Sequence, residues 1–169
     1  TSNAPLRKGK GYLYEGGIRV PLIFRWPGAI MAGSTSEFPV TGTDFYPTFL
    51  EMAGLKLLPH QHSDGVSLSP LLKGETMVNK PLFWYFPHYS GGLGGRPSAA
   101  IRDGNYKLIH FFEDNRNELY DIKTDLKEDR DLGKKLPGKR KQLNRKLQNW
   151  MGEMEVQLPY PNPSYQTEK

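Results

Sequence analysis

The sequence predicts the end of an α/β layer followed by a small α+β lobe, and three observations predict it. An apolar run, VPLIFRW at Val20–Trp26, precedes a helix-like stretch, TDFYPTFLEMAG at 43–54. From Pro81 to Ile122, β-rich runs alternate with turn dipeptides. Residues 138–155 then place Leu143, Leu147, Trp150, Met151 and Met154 on one face at helical spacing. The textures change across the polar stretch 75–80, so the expected lobes are 1–80 and 81–169. With 169 residues, 37% of them hydrophobic, the chain can bury a core.

Taken in order, residues 1–17 read as a glycine-rich loop, RKGKGYLYEGG at its centre. Val20–Trp26 has the character of a buried strand, with Pro21 near its start and Pro27-Gly28 ending it. In 43–54, Thr43 or Asp44 suits the N-cap, Pro47 falls in the first turn, and Gly54 sits at C′. SLSPLLKG at 67–74 reads as one helical turn closed by Gly74. PLFWYFPHY is strand-like, and GGLGGRP at 91–97 is a glycine loop. Asp103-Gly104 and Asp114-Asn115 then punctuate an antiparallel meander of roughly Ala99–Arg102, Tyr106–Phe112 and Glu118–Ile122. One helix laid on one face of that sheet completes the second lobe.

Composition removes several classes of function. The chain has no cysteine, hence no disulfide framework, thiolate nucleophile or thiolate metal ligand. No apolar run approaches the ~18 residues of a membrane span, and no signal peptide is visible. The net charge of +5 invites a nucleic-acid reading, but KKLPGKRKQLNRK at 134–146 concentrates seven basic residues in one place. That run lacks interleaved aromatics, so a solvated helix face explains it and no nucleic-acid partner is expected.

Several side chains carry possible chemistry. Lys10 stands between Gly9 and Gly11, where backbone can bend closely around an anion. Glu15 and Arg19 bracket Gly16-Gly17 and read as a structural pair across a positive-φ turn. His88 lies between an aromatic strand and the glycine loop, a place suited to a sugar. Arg96, in the same loop, has an anionic sugar group as its functional partner and plain solvent as the ordinary one. His60, His62 and Asp64 in HQHSDG lack a further convergent ligand, so no metal site is expected in this chain. His110 belongs to a strand and packs on a sheet face, and Trp84, Tyr85, Phe86 and Tyr89 read as sheet core before stacking platform.

In their order, GKGYLYEGGIRVPLIFRWPG, TDFYPTFLEMAG, DGVSLSPLL, AIRDGNYKLI, NELYDIKTD and a last helix with Trp150 resemble the C-terminal part of the type I sulfatases. These are the formylglycine-dependent arylsulfatases and glycosaminoglycan sulfatases, and FPHYSGGLGGRPSAAIRDGNYKL looks most like bacterial enzymes acting on sulfated carbohydrates. The resemblance implies an alkaline-phosphatase-like α/β fold with a C-terminal lobe, and hydrolysis of sulfate esters. It implies that Lys10 stabilises sulfate oxygens, and it makes His88 and Arg96 substrate-binding candidates. It also implies a calcium ion and a formylglycine, both supplied upstream. This chain has no cysteine and no Ser-x-Pro-x-Arg, and Asp114-Asn115 lies in a hairpin turn rather than at the family's calcium pair. The expectation is therefore a fragment, inactive alone, whose partners are a sulfated sugar and a missing N-terminal catalytic half. Its strand Val20–Trp26, lacking the rest of its sheet, is expected to drive self-association. The family is usually periplasmic or secreted. A non-catalytic carbohydrate-binding module is the alternative.

Overall fold

The structure is a computed structural model that describes residues 2–90, 94–160 and 162–163. Four strands, β1 (Leu82–Phe86), β2 (Ser98–Asp103), β3 (Tyr106–Phe111) and β4 (Arg116–Asp121), form an antiparallel meander paired in chain order. Asp103 pairs with Tyr106, which leaves Gly104-Asn105 as the two-residue loop. The turn thus sits one residue later than expected. Gly104, at φ +62°, takes the first central position, where a tight hairpin needs positive φ. Asn115 is left-handed in the β3–β4 turn, at φ +52°, and the Asp114 carboxylate accepts the Arg116 N–H at 3.2 Å.

Side chains alternate across a strand, so the meander has two faces, and both are covered. On one, Ala99, Ile101, Leu108 and Leu119 meet Leu143, Leu147 and Met151 of the C-terminal helix Pro137–Glu153. Phe83 stacks on Trp150 there, ring centroids 4.8 Å apart. Met154 falls one residue past that helix and is exposed, so it is not part of the apolar face. On the other face, Ala100, Ile109, Phe111, Tyr120 and Ile122 are covered by Leu13, Tyr14 and Ile18. The chain accordingly divides into two compact units, Thr1–Val20 with Pro81–Lys169, and Pro21–Lys80. The first twenty residues group with the sheet because they carry the apolar cover of its second face.

That cover includes a single helical turn, α1 (Glu15–Ile18). Gly16 and Gly17 do not adopt positive φ, contrary to expectation. They are needed because the preceding loop folds onto them. A Cβ on Gly16 would strike the carbonyl oxygens of Arg7 and Lys8, and one on Gly17 those of Tyr12 and Gly9. The left-handed positions are Lys8, at φ +61°, and Gly11, at φ +92°.

The unit Pro21–Lys80 contains a 3-10 turn, Gly42–Asp44, that runs into α2 (Phe45–Met52), and a later turn, α3 (Ser69–Leu72). Gly54 and Gly74, at φ +69° and +86°, end these helices as C′ glycines. Asp44 is buried at the centre. Its carboxylate accepts the N–H groups of Thr41 (2.9 Å) and Val66 (3.0 Å) and the Lys80 ammonium (2.8 Å). Burial alone would raise the Asp44 carboxyl, but these donors outweigh it and hold the group below its ordinary value. Thr48 extends the bonding, donating to the Asp44 carbonyl and accepting the Leu68 N–H at 2.9 Å.

Among the described residues of this unit there is no strand, so the α/β character expected here is not seen. Val20–Trp26 takes no regular secondary structure, with Val20 and Ile23 76% and 89% exposed. Strand composition is not enough, because a strand needs a ladder partner for its backbone, and none is supplied to these residues among those described.

Gly17→Ala should cost about 1–3 kcal/mol, because the methyl group meets backbone that cannot move aside cheaply. The loss reads as a lower urea midpoint. Gly138→Ala in the C-terminal helix, where nothing lies near the added carbon, should be neutral or stabilising by up to about 1 kcal/mol in the same assay.

Candidate functional site

Lys10 is exposed on the loop that precedes α1. The next residue, Gly11, docks that loop on a second one. Its carbonyl accepts the Ser90 hydroxyl at 2.9 Å, and a Cβ on Gly95 would collide with the same carbonyl. A Cβ on Gly94 would collide with the Tyr12 hydroxyl. Two segments that the sequence marked separately, the Lys10 glycines and the His88–Arg96 loop, are therefore one surface. The His88 ring is exposed and packs on Phe86 at 4.2 Å between centroids. Arg96 pairs with Glu113 at 3.4 Å, and Glu113 also accepts the Tyr89 hydroxyl at 3.0 Å. Residues 91–93 of the glycine loop lie outside the described residues.

Beneath this surface is a buried ionic cluster. Lys107 of β3 has no exposed surface, and its ammonium lies 2.9 Å from both Glu15 Oε1 and Glu128 Oε1. Glu128 also accepts the Glu15 N–H at 2.6 Å, and Arg19 stands 3.6 Å from Glu15 Oε2. The Glu15–Arg19 pair expected from sequence thus exists, as the outer part of a larger group. Burial, opposed by Lys107 and the Glu15 N–H and reinforced by the Glu15 charge, holds the Glu128 carboxyl above its ordinary range.

A second group lies on the same sheet face. Arg7 donates to the Tyr120 hydroxyl (2.9 Å) and to the Glu128 carbonyl (2.5 Å), and its guanidinium sits 4.1 Å from the centre of the Tyr14 ring. Tyr14 and Tyr120 both donate to Glu118 Oε2, at 2.7 and 2.8 Å, and Arg116 donates to Oε1. Burial first, then the bonds to Glu118, push both phenols well above their ordinary value. Both phenols therefore stay protonated at neutral pH.

Residues 8–157 match the family of N-sulphoglucosamine sulphohydrolase, C-terminal. The chain belongs to this sulfatase family. A sulfatase of Formosa agariphila is 38% identical over 167 residues, which cover 89% of this chain and 30% of that protein. The crystal structure of Ps i-CgsB in complex with k-i-k-neocarrahexaose is similar with a TM-score of 0.74 at 33% identity, over 88% of this chain and 32% of that one. BT4656 in complex with its substrate, D-glucosamine-2-N,6-O-disulfate, is similar with a TM-score of 0.63 at 32% identity, over 78% and 28%. The chain spans about a third of the length of these relatives and corresponds to a C-terminal portion of a sulfatase.

His60 is exposed, and His62 meets the Tyr46 ring edge-on. His110 is a buried strand residue paired with Asn117 at 3.0 Å, as a packing histidine should be. Trp84 and Phe86 pack on one core and Tyr85 on the other. Among the described residues no group of three or more His, Cys, Asp or Glu could hold a metal ion. Ligands for the calcium that the resemblance implies are thus not found among the described residues.

Lys107→Met should cost about 3–5 kcal/mol, because it strands two buried carboxylates. Glu128→Gln should cost less and should also change the pH profile. The folded chain holds the Glu128 proton to higher pH than the unfolded chain does. Stability therefore falls as pH rises from the ordinary value of 4.5 through the raised one, and is flat above it. Melting temperatures taken across that window should show this limb in the parent chain and lose it in Glu128→Gln.

Proposed function

We propose that the chain is the C-terminal portion of a sulfuric ester hydrolase acting on a sulfated carbohydrate. In this reading Lys10 neutralises charge on the sulfate oxygens, and His88 and Arg96 contact the sugar. The observation that carries it is the docking of Gly11 on Ser90 and Gly95, which makes the Lys10 loop and the sugar-suited loop one surface. The complex of BT4656 with its substrate D-glucosamine-2-N,6-O-disulfate and the likeness to the sulfatase of Formosa agariphila support the same chemistry. A lysine held on fixed backbone, with its side chain open, suits charge that develops on a departing sulfate.

The finer parts belong to the same proposal. The alkaline-phosphatase-like domain, the formylglycine and the calcium ligands would lie in the remainder of a longer protein. Val20–Trp26 would then join that domain as a strand. A periplasmic or secreted location follows the family. Among the described residues no helix is long and apolar enough to cross a membrane.

Lys10→Ala in the longer protein should lower kcat on a sulfated sugar about 10²–10³-fold, the loss seen when one transition-state donor is removed. His88→Ala should act mainly on KM. An unchanged kcat in Lys10→Ala overturns the assignment. The 169-residue chain by itself should show an apparent mass that rises with concentration in light scattering, through its exposed Val20–Trp26 segment. A strict monomer would exclude that self-association.

A further inference from the structure

The C-terminal helix Pro137–Glu153, here α4, is charged against its own interests. Residues 134–146 hold seven Lys and Arg and no carboxylate, and the nearest acidic residues along the chain are Asp131 and Glu153. The first turn of α4 has no acidic residue, and it begins just after Lys134 and Lys135. Cations at the positive end of a helix dipole are unfavourable. Lys141 and Arg145, at i and i+4, repel each other.

Internal partners do not account for the charge. Lys146 pairs with Asp103 at 2.6 Å, and Lys139 stands 5.3 Å from the centre of the Tyr106 ring. Lys134, Lys135, Lys141 and Arg145 are exposed and make no ion pair among the described residues. Charges that oppose local stability and lack partners inside the fold are suited to an anionic ligand outside it.

We infer that the exposed cations of 134–146 form a docking surface for a linear sulfated polysaccharide. The inference rests on the proposed function, because a polymeric substrate carries sulfates beyond the one hydrolysed. Lys141 and Arg145 lie one helical turn apart, about 6 Å, on the solvent side of α4. They present successive positive charges to a chain with successive negative ones. α4 and the loop that carries Lys10 cover opposite faces of the sheet, so one sulfate is not held by both. Nucleic acid fits less well. No aromatic side chain interrupts 134–146, so the surface offers charge without a platform for bases.

The test is a binding titration of the whole 169-residue chain with dextran sulfate, unsulfated dextran and a DNA single strand of about 20 nucleotides. Dextran sulfate should bind, with affinity falling about 50-fold between about 50 and 200 mM salt if four cations engage it. Unsulfated dextran should not bind. The variant Lys134→Gln/Lys135→Gln/Lys141→Gln/Arg145→Gln should bind it far more weakly, with a salt slope lower by about 0.7 per cation removed. Its melting temperature should be no lower than the parent's, because the removed charges oppose the helix.

Four outcomes overturn the inference: no binding of dextran sulfate at low salt, unchanged binding by the variant, tighter binding of DNA, or a variant that melts lower. Hydrolysis of a sulfated monosaccharide by the longer protein reads the proposed function separately, and the variant should leave it unchanged. Docking without hydrolysis would sink the enzyme reading and keep the surface as a polyanion site. Hydrolysis without docking would do the reverse.

Discussion

Lys107 sits between Glu15 and Glu128 with no exposed surface, and the cover of one whole sheet face follows from that arrangement. An ammonium cannot be taken out of water alone. Its two carboxylates come from distant parts of the chain, Glu15 from 92 residues before it and Glu128 from the loop after β4. The face therefore closes only when α1, β3 and that loop meet in one arrangement. A one-residue slip of β3 would turn Lys107 toward Leu143 and Leu147 and leave both carboxylates buried without a cation. An ion cluster of this kind adds little net stability over an apolar replacement. Its effect is to make wrong registers costly.

The consequence reaches the surface through backbone. Glu15 fixes α1, and Gly16 and Gly17 allow the carbonyls of Arg7, Lys8, Gly9 and Tyr12 to close on α1 from outside. Arg7 ties the start of the same loop to Tyr120 and to the Glu128 carbonyl, so both ends of the segment around Lys10 are anchored. The lysine side chain itself stays exposed. Its origin is held while its reach is free, which lets a cation meet an anion without first breaking an internal pair.

The elements that were legible in the sequence have local signatures. α2 is bounded by Asp44 and Gly54, the meander by its turn residues, and α4 shows its apolar stripe. What was not legible is non-local. Glycine serves positive φ and close approach equally well, and only the fold shows that Gly16 and Gly17 serve the second. Val20–Trp26 reads as a strand because composition is local, whereas pairing depends on a partner elsewhere. Lys107 left a faint trace, since in YKLIHF it is in phase with Ile109 and Phe111, but a strand buried on both faces hides that phase among apolar neighbours. The meeting of the Lys10 loop with the His88 loop spans 79 residues and had no trace at all.

The unit Pro21–Lys80 is ordered in a different way. Its buried Asp44 and Thr48 are satisfied, binding Thr41, Val66, Leu68 and Lys80. Its apolar residues are largely outside, with Ile23, Phe49, Leu55 and Val78 all more than half exposed. Hydrogen bonds contribute about 1 kcal/mol each after their exchange with water, too little to replace a hydrophobic core. A unit of this kind gains most of its remaining stability when its apolar side meets another surface. In the proposed reading that surface belongs to the remainder of a longer sulfatase, since the relatives are about three times as long as this chain. The sheet unit, with both faces already covered, has no such need.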